Sequence, residues 1–266
     1  MGMNAMVVRP AYPTPEHAAA AQSVVRFLRD RPGLSALLLT CSCARGRATA
    51  DSCLDLIALL SSSVTAEVHA ELEHSLREFP ESDPAVLAVE RVGKYSEVEL
   101  DFRDGHFAPQ PRGPTSGPDG FELEIGNTIA YSFPLLEQDD RYQRLRQQWL
   151  PYYPDDLRRK RLAEVRRYCL NNLDHIPLYV ARGLYFQSFH RLYDAFREFL
   201  QGLFISRRTY PIAYDKWIRE QVVEILGLPE LYAQLPRLLE IRRFESDEIA
   251  RKAAVLRKLV DEHVGE

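Results

Sequence analysis

A chain of 266 residues, 45% apolar and 27% charged, can bury a core and is long enough for two domains. Its 38 acids against 34 bases leave a net charge of -4, which excludes a chain that coats nucleic acid through its overall field. No segment approaches the ~20 apolar residues of a membrane span, the N-terminus shows no leader pattern, and four cysteines do not make a secreted framework. The expectation is a cytoplasmic protein with reduced thiols, no membrane partner and no nucleic-acid partner.

Thr14 followed by Pro15 and Glu16 is a helix start, and Val24, Phe27 and Leu28 give the following helix one buried stripe. Pro32 and Gly33 break it. The run LSALLLT then has the length and continuity of a strand covered on both faces. After the stretch CSCARGRATADSCLD at 41–55, LDLIALLS is a second buried strand, and a helix begins at Thr65. AVLAVERV and SEVELDF read as two short strands of a hairpin around Gly93 and Lys94. In the second, Glu97, Glu99 and Asp101 share one face.

Residues 104–120 hold four prolines and four glycines and read as a surface loop or lid. FELEIGNTIAYSF reads as a further strand region, and from about Leu135 the pattern is helical throughout. Leu162, Val165, Cys169 and Leu173 recur at helical spacing, as do Phe186, Phe189, Tyr193, Phe196, Leu200 and Leu203. Further helices are expected over 213–226, 229–242 and 246–264. The organisation expected is an α/β (α+β) domain with a mixed sheet over 1–134 and an all-α helical bundle over 135–266. A small-molecule ligand is expected in a cleft between them.

Strand, small-residue turn, short helix and then an acid-bearing strand is the order found in the nucleotidyltransferase superfamily that includes the antibiotic-modifying adenylyltransferases. The chain resembles that family at Ser42, Ala44, Arg45, Gly46, Ser52, Asp55 and Leu56. Cys41 stands where the family has glycine, and Cys53 where it has the first metal-binding aspartate. The resemblance implies ATP and Mg²⁺ as cofactors. It assigns Ser42 to phosphate, with Arg45 and Gly46 supporting the turn, and Asp55 to the metal. Asp101 is the expected third acid, as general base and metal ligand, with Glu99 as the alternate one pleat away. The segment FISRRTYPIAYDKWIREQ is similar to a family segment whose lysine reaches the nucleotide phosphates, and Lys216 is the matching residue, near Arg207, Arg208 and Tyr210. Read without the family, Trp217 and Ile218 are core, and Arg207 and Arg208 a solvated turn.

The departures carry chemical consequences. A neutral thiol is a poor substitute for a carboxylate on Mg²⁺. A side chain at position 41 costs stability if φ is positive there. A nucleophilic Cys53, activated by Arg45 and Arg47 with Asp55 or Asp101 handling protons, is one alternative. Its histidine partner would have to come from His69, His74, His106, His175 or His190 through tertiary contact. A soft-metal set of Cys41, Cys43 and Cys53 is another, although C-x-C-x₉-C matches no standard knuckle. The basic run RRKRLAEVRR reads as a solvated helix face, and the aromatic helix over 185–203 as packed core rather than a stacking platform. Two functions follow: transfer of AMP from ATP to a hydroxyl of a small molecule, or a degenerate member that binds a ligand or runs a metal-free reaction.

Overall fold

The computed structural model describes residues 10–62 and 64–265, so the N-terminal stretch read above as lacking a leader lies outside the described residues up to residue 9. By its internal contacts the chain forms two units, Met1–Phe107 with Glu124–Pro151, and Ala108–Leu123 with Tyr152–Glu266.

The first unit is a mixed four-stranded sheet with helices. Helix α1 (Pro15–Leu28) starts as its capping signal requires, the Thr14 hydroxyl accepting the His17 N–H and proline filling the first turn. Strand β1 (Leu34–Leu39) is buried along its whole length, which is why LSALLL carries no alternation. A single helical turn, α2 (Cys41–Ala44), leads to β2 (Leu54–Leu60), also almost wholly buried. Helix α3 (Ala66–Ser82) is capped by Thr65 as expected. The sheet order is β3-β2-β1-β4, with β1 antiparallel to both β2 and β4, and β2 parallel to β3 (Val98–Arg103).

Two expected strands are corrected. The segment AVLAVERV is not one arm of a hairpin. It forms α4 (Pro84–Val89), because Asp83 accepts the N–H groups of Ala85 and Val86 and Pro84 sits in the first turn. Gly93 instead packs its backbone on the loop after α2: a Cβ there would lie 2.6 Å from Asp51 Oδ1 and 2.8 Å from the Ala50 carbonyl. The region FELEIGNTIAYSF is largely helical, as α5 (Phe121–Ile125) followed by a π-helical turn over Gly126–Ala130. Only then does the chain enter the edge strand β4 (Phe133–Glu137) and α6 (Arg141–Trp149). Both belong to the first unit, so the division at 134/135 is replaced by one in which the chain passes between units after Phe107, Leu123 and Pro151. The side-chain pattern of β4 is half-buried and short, which is why it blends into the helical residues around it.

The second unit is helical: α7 (Asp155–Ala181), α8 (Tyr185–Ser206), a π-helical segment over Glu220–Ile225, the short α9 (Pro229–Tyr232) and α10 (Leu235–Leu239), and α11 (Glu248–His263). Leu162, Val165, Cys169 and Leu173 of α7 meet Phe196, Leu200 and Leu203 of α8 in one apolar cluster, as their three-and-four spacing requires. Phe186 departs from that reading and lies 81% exposed, with its ring 5.0 Å from that of Phe244. Residues 104–120 carry no helix or strand, as four prolines dictate.

Candidate functional site

The site begins where β1 ends. Thr40 ties this end of β1 to the start of β2, its N–H donating to the Asp55 carbonyl at 3.0 Å and its hydroxyl to the same oxygen at 3.3 Å. The chain then turns at Cys41 with φ of 53° and closes α2 through the Ala44 N–H to the Thr40 carbonyl, leaving through Gly46 at φ of 68°. Only glycine adopts φ values of this sign without cost. The turn therefore has the left-handed start that a glycine would suit, with a cysteine occupying it. Ser42 and Arg45 are both buried, and the Arg47 N–H donates to the Ser42 carbonyl at 2.9 Å.

The acids arrive from two strands. Because β2 and β3 run parallel with Leu54 beside Val98, the register sets Asp55 beside Glu99 and Ile57 beside Asp101. Alternation puts Glu97, Glu99 and Asp101 on the exposed face, as their spacing indicated. The neighbour of Asp55 is thus Glu99, the alternate acid. Asp101 lies one pleat further along, opposite an isoleucine, and is paired with Arg103 at 3.1 Å. Cys53, Glu97 and Glu99 bring one ligand atom each to within 4.8 Å of one another.

Cys53 is held as a neutral donor. Its thiol donates to the Tyr95 carbonyl at 3.4 Å and reaches Glu97 Oε1 at 3.9 Å. Burial first, then the charges of Glu99 and Asp55, push its pKa up to about 11. Burial and the surrounding carboxylates thus oppose the activation expected from Arg45 and Arg47, and a thiolate nucleophile is not what this environment favours. His69 and His74 face Glu73 and Glu78 on α3, while His175 and His190 belong to the second unit. Cys43 is buried, its pKa raised to about 12 by burial and then by Asp55, and its thiol donates to the Cys53 carbonyl at 3.7 Å. Among the described residues Cys41, Cys43 and Cys53 do not gather into one soft-metal set.

His17 is a residue that sequence reasoning passed over. Wholly buried on α1, it donates from Nε2 to the Ser52 carbonyl at 2.9 Å while Nδ1 faces the Thr14 hydroxyl at 2.9 Å. It fixes the loop that delivers Cys53 and Asp55 to the sheet. The signal was available only as a histidine on the apolar face of a helix.

Lys216 belongs to the second unit. It is exposed on a loop organised by Gln221, whose buried amide accepts the N–H groups of Ile212 and Ala213 and donates to the carbonyls of Ala213 and Lys216. Trp217 follows at φ of 60° and is 38% exposed rather than core, whereas Ile218 does pack against the apolar cluster. Arg208 is paired with Asp155 at 2.7 Å and Tyr210 is buried against Tyr152.

The basic helix face also departs from expectation at one place. Arg158 and Arg159 pair with Asp155 and Asp156 on the surface, but Arg161 points inward and is 2% exposed. Its guanidinium donates to both oxygens of Glu122 at 3.0 and 2.8 Å and both oxygens of Asp119 at 2.7 and 2.6 Å. The buried acids are further satisfied by Gln201 and the Tyr153 hydroxyl.

No protein-family model, no curated protein and no solved structure matches this chain.

Proposed function

We propose that the first unit is a nucleotidyltransferase-type domain that binds ATP at the turn after β1 and moves AMP to a hydroxyl of a small molecule. The observation that carries this reading is the parallel register of β2 and β3, which sets Asp55 beside Glu99 at the end of the sheet where α2 leaves β1. Carboxylate oxygens suit Mg²⁺, and the neutral thiol of Cys53 does not, so Asp55 and Glu99 are the residues that would hold it. A magnesium ion supplies charge neutralisation on phosphate oxygens and alignment for in-line displacement. The chain's own residues do the rest: the Ser42 hydroxyl and the backbone of the turn orient phosphate, and Glu99 takes up the proton of the acceptor hydroxyl in the role expected of Asp101.

A second reading is a member that binds its ligand without transferring a nucleotide. It is favoured by Cys53, whose neutral thiol stands against Glu97 and Glu99 where the family has a metal-binding carboxylate. Thermal unfolding with and without excess MgATP tests the first reading. Saturation at ~100 times Kd stabilises by ~2.7 kcal/mol, so a rise in Tm that disappears in Asp55→Ala is expected, and no rise overturns nucleotide binding. Magnesium-dependent binding that appears only in Cys53→Asp favours the second reading.

A further inference from the structure

The sheet of the first unit has an open edge. In the order β3-β2-β1-β4, β3 pairs with β2 alone, and among the described residues no strand lies on its outer side. The Leu54 N–H donates to the Glu97 carbonyl at 2.8 Å, and in a parallel ladder alternate residues turn their main-chain groups to the partner. With Leu54 beside Val98, residues 97, 99 and 101 therefore bond β2, whereas Val98, Leu100 and Phe102 direct their N–H and C=O groups away from the sheet. Only the last carbonyl of this row is taken, by Nη1 of Arg103 at 2.9 Å. The opposite edge strand, β4, carries Pro134, which has no N–H to offer a further strand, and β3 has no such residue.

The two faces beside this edge differ in chemistry. Towards α3, Leu100 and Phe102 line a groove of about 240 Å³ with Leu76 and Glu73, and the Phe102 ring lies 5.7 Å from that of His69. On the other face Glu97, Glu99 and Asp101 stand in an exposed row. Glu97 and Glu99 converge on the Cys53 thiol, and the strand's own cation, Arg103, is already committed to Asp101 and the Phe102 carbonyl. Such a face repels a strand that brings acids. The β3 strand of a second copy is one: antiparallel two-fold pairing centred on Leu100 sets Glu99 opposite Asp101 twice, and like charges directly opposite destabilise a sheet. A strand that brings lysine or arginine at every second position is attracted instead.

We propose that the outer edge of β3 docks an extended peptide in which basic residues alternate with apolar ones, adding a fifth strand to the four-stranded sheet. The outward N–H and C=O groups of Val98 and Leu100, with the Phe102 N–H, supply main-chain hydrogen bonds, which give affinity to any extended chain. Side-chain alternation supplies the selection. Apolar side chains of the peptide enter the groove over Leu100 and Phe102, and its cations meet Glu97, Glu99 and Asp101. This site rests on the sheet edge and its charge, not on the nucleotide reading.

The probe is the peptide (Lys-Val)₄, blocked at both ends and titrated into the full chain without magnesium or nucleotide, so that its outcome is separate from that of the nucleotide site. It is compared with (Glu-Val)₄ and with the block peptide Lys₄Val₄, which has the same charge without the alternation. The alternating basic peptide is expected to bind about tenfold more tightly than either, and the exposed double variant Glu97→Lys with Asp101→Lys to weaken it about tenfold. Amide exchange at Val98, Leu100 and Phe102 should slow about tenfold in the complex, while Glu99 and Asp101, already bonded to β2, change little. No binding at about 1 mM peptide, equal affinity for Lys₄Val₄, or unchanged exchange at the three outward amides overturns the proposal. Protection of the same amides by concentration-dependent dimerisation without peptide also overturns it, with a second copy as the occupant. Should the double variant not fold, the three peptides and the exchange pattern of the wild type decide the matter.

Discussion

Replacing Arg161 by methionine, a side chain of similar reach, leaves Glu122 buried without its guanidinium and Asp119 with only the Arg112 Nε at 3.7 Å. Glu122 is wholly buried, and its remaining donors are the Tyr153 hydroxyl and the Gln201 amide, which cannot neutralise two carboxylates. Breaking a buried pair from one side costs about 3–5 kcal/mol, because the orphaned charge keeps its desolvation penalty without its partner. That is a large share of the ~5–15 kcal/mol that holds a domain together. Removing both acids as well, in Arg161→Met with Asp119→Asn and Glu122→Gln, abolishes the orphaned charge and is expected to recover most of the loss. Urea unfolding followed by Trp217 fluorescence in a Trp149→Phe background reports the second unit, since the chain's two tryptophans lie one in each unit. A single-variant loss below about 1 kcal/mol, or a triple variant no better than the single, would refute a network held by desolvated charge.

Three further outcomes follow from local geometry. With its pKa up to about 11 against an ordinary 9.0, Cys53 carries ~100-fold less thiolate at neutral pH, so iodoacetamide should modify it correspondingly slowly and Glu99→Gln should speed it; reaction at the rate of a free thiol would contradict the assignment. At Cys41, φ of 53° costs a side-chain-bearing residue ~1–2 kcal/mol, so Cys41→Gly should match or exceed the wild type in Tm while the β-branched Cys41→Val falls below it; equal stability of the valine variant would show the turn is not left-handed. Gly33 lies at φ of 84° with a Cβ position 2.8 Å from Val68, so Gly33→Ala should destabilise the first unit by ~1–3 kcal/mol in denaturant unfolding, and an unchanged midpoint would contradict that packing.

The elements legible in the chain were those with a single dominant signal. Continuous apolar runs gave β1 and β2, capping threonines gave the starts of α1 and α3, and three-and-four spacing gave the faces of α7 and α8. Helix α4 was misread because Ala85–Val89 is a continuous apolar run with β-branched Val86 and Val89, although Asp83–Pro84 is itself a helix start whose capping outweighs that pattern. Residues 121–130 were misread for a related reason. The alternation of apolar and acidic residues over Phe121–Ile125 has a strand period, yet Glu122 is turned inward to meet Arg161, a contact with a residue 39 positions away. The site was half legible. The turn, Asp55 and the acidic face of β3 follow from local pattern, but which acid adjoins Asp55 depends on the parallel register of β2 and β3, and a shift of one pleat exchanges Glu99 for Asp101. The neutral state of Cys53 depends on the same pairing, since it is Glu97 and Glu99 that surround the thiol.

Calorimetric titration of MgATP into the wild type, Asp55→Asn, Glu99→Gln and Asp101→Asn tests the central claim most directly. If Asp55 and Glu99 together form the cation-holding edge of a nucleotide site, their variants each weaken magnesium-dependent binding at least tenfold while Asp101→Asn binds as the wild type does. Binding that survives in Asp55→Asn and Glu99→Gln, or that fails equally in Asp101→Asn, would contradict it.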